Sequence, residues 1–283
     1  MKKASFLGLA FLLLATVAAG RAASAPGTTE GLWAASVADD QVRFRLTMFG
    51  EDERDEWNMS MSVPRARLSG LEFDKDHSFK LTGDAGTITF QGKFSGTRGS
   101  GSFAFAPDPT FIEFLAGKKF GRIDDKKLIF LLIGNIDKAY VKSLESFGYA
   151  DISSSQLVDL AIHRVSQEYI REMQALWGTN LTLSKILEFK IHDITKDYID
   201  EMVKAGFKDL TPDKLLELKI HGLTAKYIKD IRSAGFPDLP SEQILAFKIH
   251  GIDKDYIEYC RGLLKGKKEL TPERVIQMKI HGI

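Results

Sequence analysis

The sequence contains a single cysteine, Cys260, among its 283 residues. One thiol excludes an internal disulfide, so the fold must be stabilised by its packed core rather than by cross-links. An excess of charge of one sign is also missing, because 39 basic residues face 38 acidic residues. A near-neutral chain is not typical of a nucleic-acid-binding protein. Global disorder is not expected either, since 44% of the residues are hydrophobic and 27% are charged.

No arrangement of residues indicates catalysis. Five of the six histidines belong to a repeated stretch, and the sixth, His77, lies in a polar turn with Asp74, Lys75 and Asp76. No Ser or Cys nucleophile can be paired with His77 from the sequence, so we interpret it as a surface residue. Cys260 falls in an apolar column of the repeat and is expected to be a buried, inert thiol. We therefore predict no catalytic residue, no metal, no cofactor and no enzymatic activity.

Residues 1–25 are typical of a secretory signal peptide. Lys2 and Lys3 precede an apolar run that is too short for a comfortable membrane span, and small residues follow it. No Cys follows this run as a lipoprotein anchor would require, and no later stretch is long and apolar enough to span a bilayer. We expect an exported bacterial protein, periplasmic or extracellular, with cleavage after Ala22 preferred over Ala25. Removal of the signal peptide takes Lys2, Lys3 and Arg21 from the 39 basic residues and leaves 36 against 38 acidic ones, so the processed chain is also near neutral.

Residues 26–107 predict a small antiparallel β domain. Apolar and polar residues alternate with period two in several stretches, which is typical of half-buried strands. The apolar positions are Val42, Phe44, Leu46, Met48, Trp57, Met59, Met61, Val63, Ile88, Phe90, Phe103 and Phe105. Turn residues at 39–40, 83–86 and 95–99 separate these stretches. We predict six or seven strands in a meander that closes as a small sandwich or half-barrel.

Two stretches of this domain admit a ligand-binding interpretation. The acidic run at 51–56 could suggest a calcium loop, but it lacks the Gly and the alternating ligands of such loops. We favour a solvated hairpin tip. The glycine-rich stretch 96–101 could suggest phosphate binding, but it lies between two strands rather than before a helix. We interpret it as a hairpin turn.

Residues 108–283 repeat a unit of about 29 residues. The unit contains Lys-Ile-His-Gly or a variant of it, at 161–164, 190–193, 219–222, 248–251 and 279–282. Successive motif histidines are 29, 29, 29 and 31 residues apart, and a fixed step of this size indicates a tandem repeat. In one unit, Thr211 begins a first helix that ends before Gly222, and Thr224 begins a second helix that ends near Gly235.

The same helix starts are expected in the other units. Ser153, Ser241 and Thr271 should cap first helices, whereas Asp137, Ser166, Thr195 and Asp253 should cap second helices. Helices of about ten residues are unstable alone in water, so the units must share a continuous core. We predict about twelve helices and an α+β protein of two domains. A β-sandwich or half-barrel (26–107) would precede a short α-solenoid of helical hairpins (108–283) with a grooved face.

Three polar columns recur in the repeat. They are the motif histidines, the tyrosines Tyr140, Tyr169, Tyr198, Tyr227 and Tyr256, and the lysines Lys190, Lys219, Lys248 and Lys279. The histidines cannot share a zinc ion, because packed helices lie about 8–10 Å apart and zinc ligands within about 2.3 Å of the ion. We favour histidines that cap helix C-termini and face the last carbonyls. The lysines either interact favourably with the helix dipole or form a row of positive charge for an anionic partner. The tyrosines either pack against neighbouring residues or contact a bound peptide.

The stretch Leu-Thr-Pro-x-x-Leu-x-x-Leu-Lys-Ile-His-Gly-Leu-Thr-x-x-Tyr-Ile at 210–228 resembles short helical repeats of exported bacterial proteins of mostly unknown function. It is also similar to repeats appended to antirepressor-type membrane metallopeptidase sensors related to the β-lactam sensors. The resemblance covers residues 108–283 and implies a sensing or scaffolding accessory module. The chain has no His-Glu-x-x-His motif, so the resemblance implies no peptidase activity.

We therefore expect a non-catalytic protein that binds a protein or peptide along the solenoid groove, with the tyrosine and lysine columns as candidate contacts. The alternative is a binder of a small ligand or envelope polymer that uses the aromatic and Met-rich strand faces, which requires a cavity between those faces. A hydrolase would require clustered carboxylates in a cleft between the two domains.

Overall fold

The computed structural model describes residues 29–49, 56–118, 120–121, 123–208, 210–265 and 269–283. Within these residues, seven strands precede twelve helices, which confirms the α+β class. The expected signal peptide and most of the acidic run, residues 51–55, lie outside the described residues.

The strands form one antiparallel sheet in the part of the chain that the structure describes. They are β1 (Thr29–Ala38), β2 (Gln41–Phe49), β3 (Glu56–Pro64), β4 (Leu68–Ser69), β5 (Asp76–Gly83), β6 (Gly86–Ser95) and β7 (Arg98–Pro107). Their order across the sheet is β3-β2-β1-β7-β6-β5-β4. The predicted turns at 39–40, 84–85 and 96–97 are confirmed, and Asp39 and Gly96 adopt φ angles of 54° and 57° there.

The chain departs from the predicted meander between β3 and β4. These strands are the two opposite edges of the sheet, yet only the 3₁₀ helix Arg65–Arg67 connects them. Strands about 4.8 Å apart would place the edges of a flat sheet roughly 29 Å apart. The four peptide units from Pro64 to Leu68 span at most about 14 Å. The sheet is therefore strongly rolled, which is closer to the predicted half-barrel than to a sandwich of two sheets.

Aromatic side chains fill the concave side of the rolled sheet. Phe44 of β2 and Phe79 of β5 lie four strands apart in the sheet, yet their ring centroids are 6.3 Å apart. The ring of Phe90 lies 4.8 Å from both. Trp33 packs against the same rings and donates a hydrogen bond to the carbonyl of Gln91. The period-two residues thus form a continuous buried core, as the alternation predicted, except for Trp57, which is partly buried and packs against Phe130.

Most helix boundaries agree with the predicted caps. The helices are α1 (Pro109–Ala116), α2 (Asp125–Ile133), α3 (Lys138–Ser146), α4 (Ser154–Ile162), α5 (Gln167–Trp177), α6 (Leu183–Ile191), α7 (Lys196–Lys204), α8 (Pro212–Ile220), α9 (Ala225–Ser233), α10 (Ser241–Ile249), α11 (Lys254–Leu264) and α12 (Pro272–Ile280). Thr211 and Thr224, for example, accept hydrogen bonds from backbone amides in the first turns of α8 and α9. The prediction for Ser241 was wrong. Pro240 occupies the cap position of α10 and has no side-chain acceptor, because the Ser is displaced by one residue.

The helices that follow the sheet directly in the chain pack on it. Thr29 donates a hydrogen bond of 2.6 Å to Asp125 at the start of α2, and Arg67 donates to the last two carbonyls of α2, both at 2.8 Å. Arg164, after α4, donates to the carbonyl of Ser62 at 2.5 Å. Burial of the Arg67 guanidinium, and the nearby charge of Arg164, lower the pKa of Arg67. The division into domains at residue 108 stays a prediction.

The predicted turn position of His77 was wrong, and the residue has a structural role. It lies in β5, where its Nε2 accepts a 2.8 Å hydrogen bond from the amide of Glu72, and its Nδ1 lies 2.9 Å from the carbonyl oxygen of Lys75. Both contacts are satisfied only when Nδ1 carries the proton. The imidazole therefore fixes the turn before β5 while remaining partly exposed, as expected.

Candidate binding surfaces

The tyrosine column connects successive units through the main chain. Each hydroxyl donates a hydrogen bond to the carbonyl that lies two residues after the next motif histidine. The pairs are Tyr140–Val165 at 2.6 Å, Tyr169–Ile194 at 2.7 Å, Tyr198–Leu223 at 3.2 Å, Tyr227–Ile252 at 2.5 Å and Tyr256–Ile283 at 2.8 Å. The column thus satisfies a carbonyl in the turn that follows each first helix.

The side chains of the lysine column contact the rings of the tyrosine column. Each lysine ammonium lies over the ring of the preceding unit's tyrosine, within the range of a cation–π interaction. The distances from Nζ to the ring centroid are 5.0 Å for Lys190–Tyr169, 4.4 Å for Lys219–Tyr198, 4.6 Å for Lys248–Tyr227 and 4.2 Å for Lys279–Tyr256. We call each pair, with its hydroxyl–carbonyl bond, a tyrosine–lysine contact. Ala161 takes the lysine position over Tyr140, so this contact is incomplete at the first occurrence of the motif.

Burial raises the pKa of these tyrosines, which are protonated at neutral pH even at the ordinary tyrosine pKa of about 10. Desolvation raises the pKa of Tyr198 to about 12 and raises the pKa of Tyr140, Tyr169 and Tyr227 above its ordinary value. The hydroxyls therefore remain hydrogen-bond donors. Since the rings of Tyr140, Tyr169 and Tyr198 are buried, they leave little surface for a partner. A role of the tyrosine and lysine columns in partner binding stays a prediction.

The motif glycine and histidine determine how each first helix ends. Gly222, Gly251 and Gly282 adopt φ angles of 67°, 63° and 71°, the left-handed conformation that glycine commonly adopts after a helix. Arg164 and Asp193 adopt the same conformation without the freedom of glycine, with φ angles of 52° and 51°. The histidines occupy the C-cap positions, as predicted. The predicted contact of their side chains with the last carbonyls was wrong, because the imidazoles are partly or fully exposed and, in the described part of the chain, have no hydrogen-bond partner.

The isoleucine of the repeated Lys-Ile-His-Gly motif takes no part in the contacts described above. These side chains form what we call the isoleucine row, in which every member is about half exposed. They are Ile162 (48%), Ile191 (50%), Ile220 (56%), Ile249 (51%) and Ile280 (55%). The residue four positions earlier is also apolar and lies on the same helix face, as for Leu216 before Ile220. This row was not predictable from the sequence, because a recurring apolar residue at a helix end resembles a core position.

A cleft of about 780 Å³ lies where the sheet meets the helices. Its walls include Arg67, Arg164 and Arg171 together with Asp137 and Glu168. Asp137 accepts a hydrogen bond from the amide of Tyr140 as the cap of α3, and Arg67 and Arg164 bind main-chain carbonyls. Two of its arginines therefore join the sheet to the helices, and one of its two carboxylates is engaged as a helix cap.

Other sites considered from the sequence have less support. The aromatic rings of the strand faces, such as those of Phe44 and Phe90, pack against each other. A pocket of about 210 Å³ borders Met59 and Met61, and ligand binding by the strand faces stays a prediction. Among the described residues, no group of three or more His, Cys, Asp or Glu side chains could hold a metal ion. Cys260 is buried, as predicted, and burial raises the pKa of its thiol. None of the helices in the described residues is long and apolar enough to cross a bilayer.

Comparisons of the chain with protein-family models, curated proteins and solved structures find no match. Functional inference therefore starts from the exposed groups described above.

Proposed function

We propose that the chain is an exported, non-catalytic scaffold that binds a protein or peptide along its helices. The observation that carries this proposal is the isoleucine row, in which one half-exposed isoleucine recurs in each unit. The sensing or scaffolding role implied by the repeat resemblance agrees with it. Export is supported by the apolar run after Lys2 and Lys3, and N-terminal sequencing of the processed protein would test it.

A solenoid arrangement would place the row along one surface. Each complete tyrosine–lysine contact connects a second helix to the end of the next first helix, and it recurs with nearly constant spacing. Equivalent contacts between successive units favour a similar geometry at each step. The isoleucines, which end equivalent helices, would then follow one another along the stack.

The chemistry of the row suits a protein partner. Apolar side chains at the centre of an interface and polar groups around them are typical of protein–protein contacts. Each isoleucine is followed by a histidine whose imidazole is available as a donor and an acceptor. An extended or helical partner with apolar side chains could thus contact several units at once.

A crosslinking pull-down from intact cells tests the proposal. The test variant replaces Ile191, Ile220 and Ile249 by Ser. The matched control replaces three exposed apolar residues of second helices, Leu176, Val203 and Leu263, by Ser. We expect the isoleucine variant to lose at least about tenfold of the captured partner, since several buried apolar contacts of about 1 kcal/mol each would be lost.

The control variant distinguishes the loss of a specific binding surface from a general loss of exposed apolar surface. Equal capture by the wild type and the isoleucine variant, or equal loss in both variants, would contradict a binding surface on the row. Far-ultraviolet circular dichroism should show both variants to be as helical as the wild type.

A further inference from the structure

Three arginines share the convex face of the sheet. The strand register places Arg98, Ser36, Arg43 and Ser62 side by side in one row across β7, β1, β2 and β3. Arg45 lies in an adjacent row on the same face, opposite Ala34. We call Arg43, Arg45 and Arg98 the arginine face. All three side chains are exposed.

Small residues separate these arginines. Ala34, Ser36, Ser60 and Ser62 form the floor of a shallow depression of about 660 Å³ that the three arginines border. Arg43 and Arg98 are separated by β1 alone, so their backbones are about 10 Å apart. Because no bulky side chain stands between them, the long arginine side chains can converge on one ligand above the floor.

The charge of the arginine face is not compensated. Within the described residues, none of the three guanidinium groups forms an ion pair or a side-chain hydrogen bond, whereas Arg67 and Arg164 bind carbonyls. The turn acids Asp39 and Asp40 at the same end of the sheet form no ion pair with them. Lys93 lies further along the same face, in register with Ser100, but Asp76 is opposite it on β5, so we do not include Lys93 in the arginine face. A cluster of like charges on a near-neutral protein creates a local positive potential that attracts anions.

The geometry points to a ligand with clustered phosphate groups. Guanidinium groups bind phosphate through two parallel hydrogen bonds, and arginine is suited to this recognition in a way that lysine is not. Three guanidinium groups can bind more than one anionic group at the same time. The depression is shallow and open, so it suits an exposed headgroup rather than a ligand that the protein must enclose. We propose that the arginine face binds a multiply charged phosphate compound, either as a phospholipid headgroup or as a soluble phosphorylated molecule.

Binding can be measured with two probes on the full processed chain. Inorganic tripolyphosphate is titrated calorimetrically, and vesicles of cardiolipin, whose headgroup carries two phosphates, with phosphatidylcholine are sedimented with the protein. Both are measured near 0.1 M salt, where screening acts beyond about 10 Å. The test variant carries Arg43→Gln, Arg45→Gln and Arg98→Gln. The matched control removes the same charge from exposed lysines of the helical region, through Lys204→Gln, Lys208→Gln and Lys229→Gln.

We expect the arginine variant to bind at least about tenfold more weakly, because charge-assisted bonds to the anion are lost. The lysine control should bind like the wild type. Binding of vesicles alone would identify the headgroup source, and binding of tripolyphosphate alone would identify the soluble source. Absence of binding to both probes, or equal weakening in both variants, would overturn the proposal. The isoleucine variant described above should retain anion binding, so this test is independent of the scaffold proposal.

Discussion

The sheet and the helices reach stability by opposite routes. In the sheet, one aromatic cluster joins strands that are distant in sequence, as Phe44 and Phe79 show. In the helices, similar contacts join residues 21 to 25 positions apart in most units, as Tyr198 does with Lys219 and Leu223. A core that depends on one cluster tolerates little change, whereas a series of equivalent contacts tolerates local variation. Ala161 in a lysine position and Asp193 in a glycine position are examples of that tolerance.

The two regions also differ in what they leave exposed. The sheet uses its concave side for the core and exposes arginines on its convex side. The helices use tyrosine and lysine to connect units and expose isoleucine and histidine. Loss of one core residue should therefore affect the whole sheet, while loss of one tyrosine–lysine contact should affect neighbouring helices.

The largest expected effect is that of Phe90→Ala. Phe90 is fully buried and its ring lies 4.8 Å from those of Phe44 and Phe79. Its truncation should lower the free energy of unfolding by about 3–5 kcal/mol, measured by chemical denaturation. Thr89→Ala, on the opposite face of the same strand, should change it by no more than about 0.5 kcal/mol. A loss below about 1 kcal/mol for Phe90→Ala would show that the sheet core is not cooperative.

Gly222→Val should have the next largest effect. The residue has a φ angle of 67°, which a β-branched residue adopts only with strain, so a loss of about 1–2 kcal/mol is expected.

Asp193 has a φ angle of 51° at the position equivalent to Gly222. Asp193→Gly should therefore stabilise the protein by up to about 1 kcal/mol, since the ion pair of Asp193 with Lys219 is long and the Asp193 side chain is exposed. Unchanged melting curves for both variants would contradict the backbone conformation of these turns.

Tyr169→Phe tests the hydroxyl of one tyrosine–lysine contact. It keeps the ring under Lys190 but removes the 2.7 Å bond to the carbonyl of Ile194. The expected loss is about 1 kcal/mol. Hydrogen exchange should become faster in α5 and α6 and stay unchanged in the sheet. Tyr259→Phe is the control, because the exposed hydroxyl of Tyr259 has no hydrogen-bond partner among the described residues.

Lys248→Met should have the smallest effect. Methionine keeps most of the aliphatic stem but removes the ammonium that lies 4.6 Å from the ring centroid of Tyr227. The expected loss is about 0.5–1 kcal/mol. A double-mutant cycle with Tyr227→Leu isolates the pairwise energy, and Lys229→Met controls for loss of a surface charge. A coupling energy of zero would mean that the lysine column is explained by the helix dipole alone.

Local features were predictable from the sequence, whereas contacts between units were not. Alternation identified the buried strand residues, and Thr211 and Thr224 identified helix starts, because both signals depend on near neighbours. The tyrosine and lysine columns were visible, but the sequence does not reveal that a tyrosine of one unit lies beside the lysine of the next. The order of the sheet was missed for the same reason, since nothing near Arg65–Arg67 indicates that this helix connects opposite edges.

The exposed isoleucines show a different limit of sequence reasoning. Hydrophobic periodicity predicts which residues face a core, but it does not distinguish a core position from an apolar residue exposed at a helix end. Ile220 and Leu218 are two residues apart in α8, yet Leu218 is fully buried and Ile220 is not. Only the neighbouring elements decide which one is covered.

The interior position of β1 in the sheet affects the order in which the chain can fold during synthesis. One side of β1 pairs with β2, which follows directly, but the other side pairs with β7, where Thr29 lies opposite Phe105. A growing chain therefore has an unpaired edge on β1 until about 75 further residues have emerged, and such distant pairings form slowly. The helices emerge later and can add one after another to a completed sheet. A delay within the first hundred residues would thus expose this chain to misfolding more than a delay within the repeats.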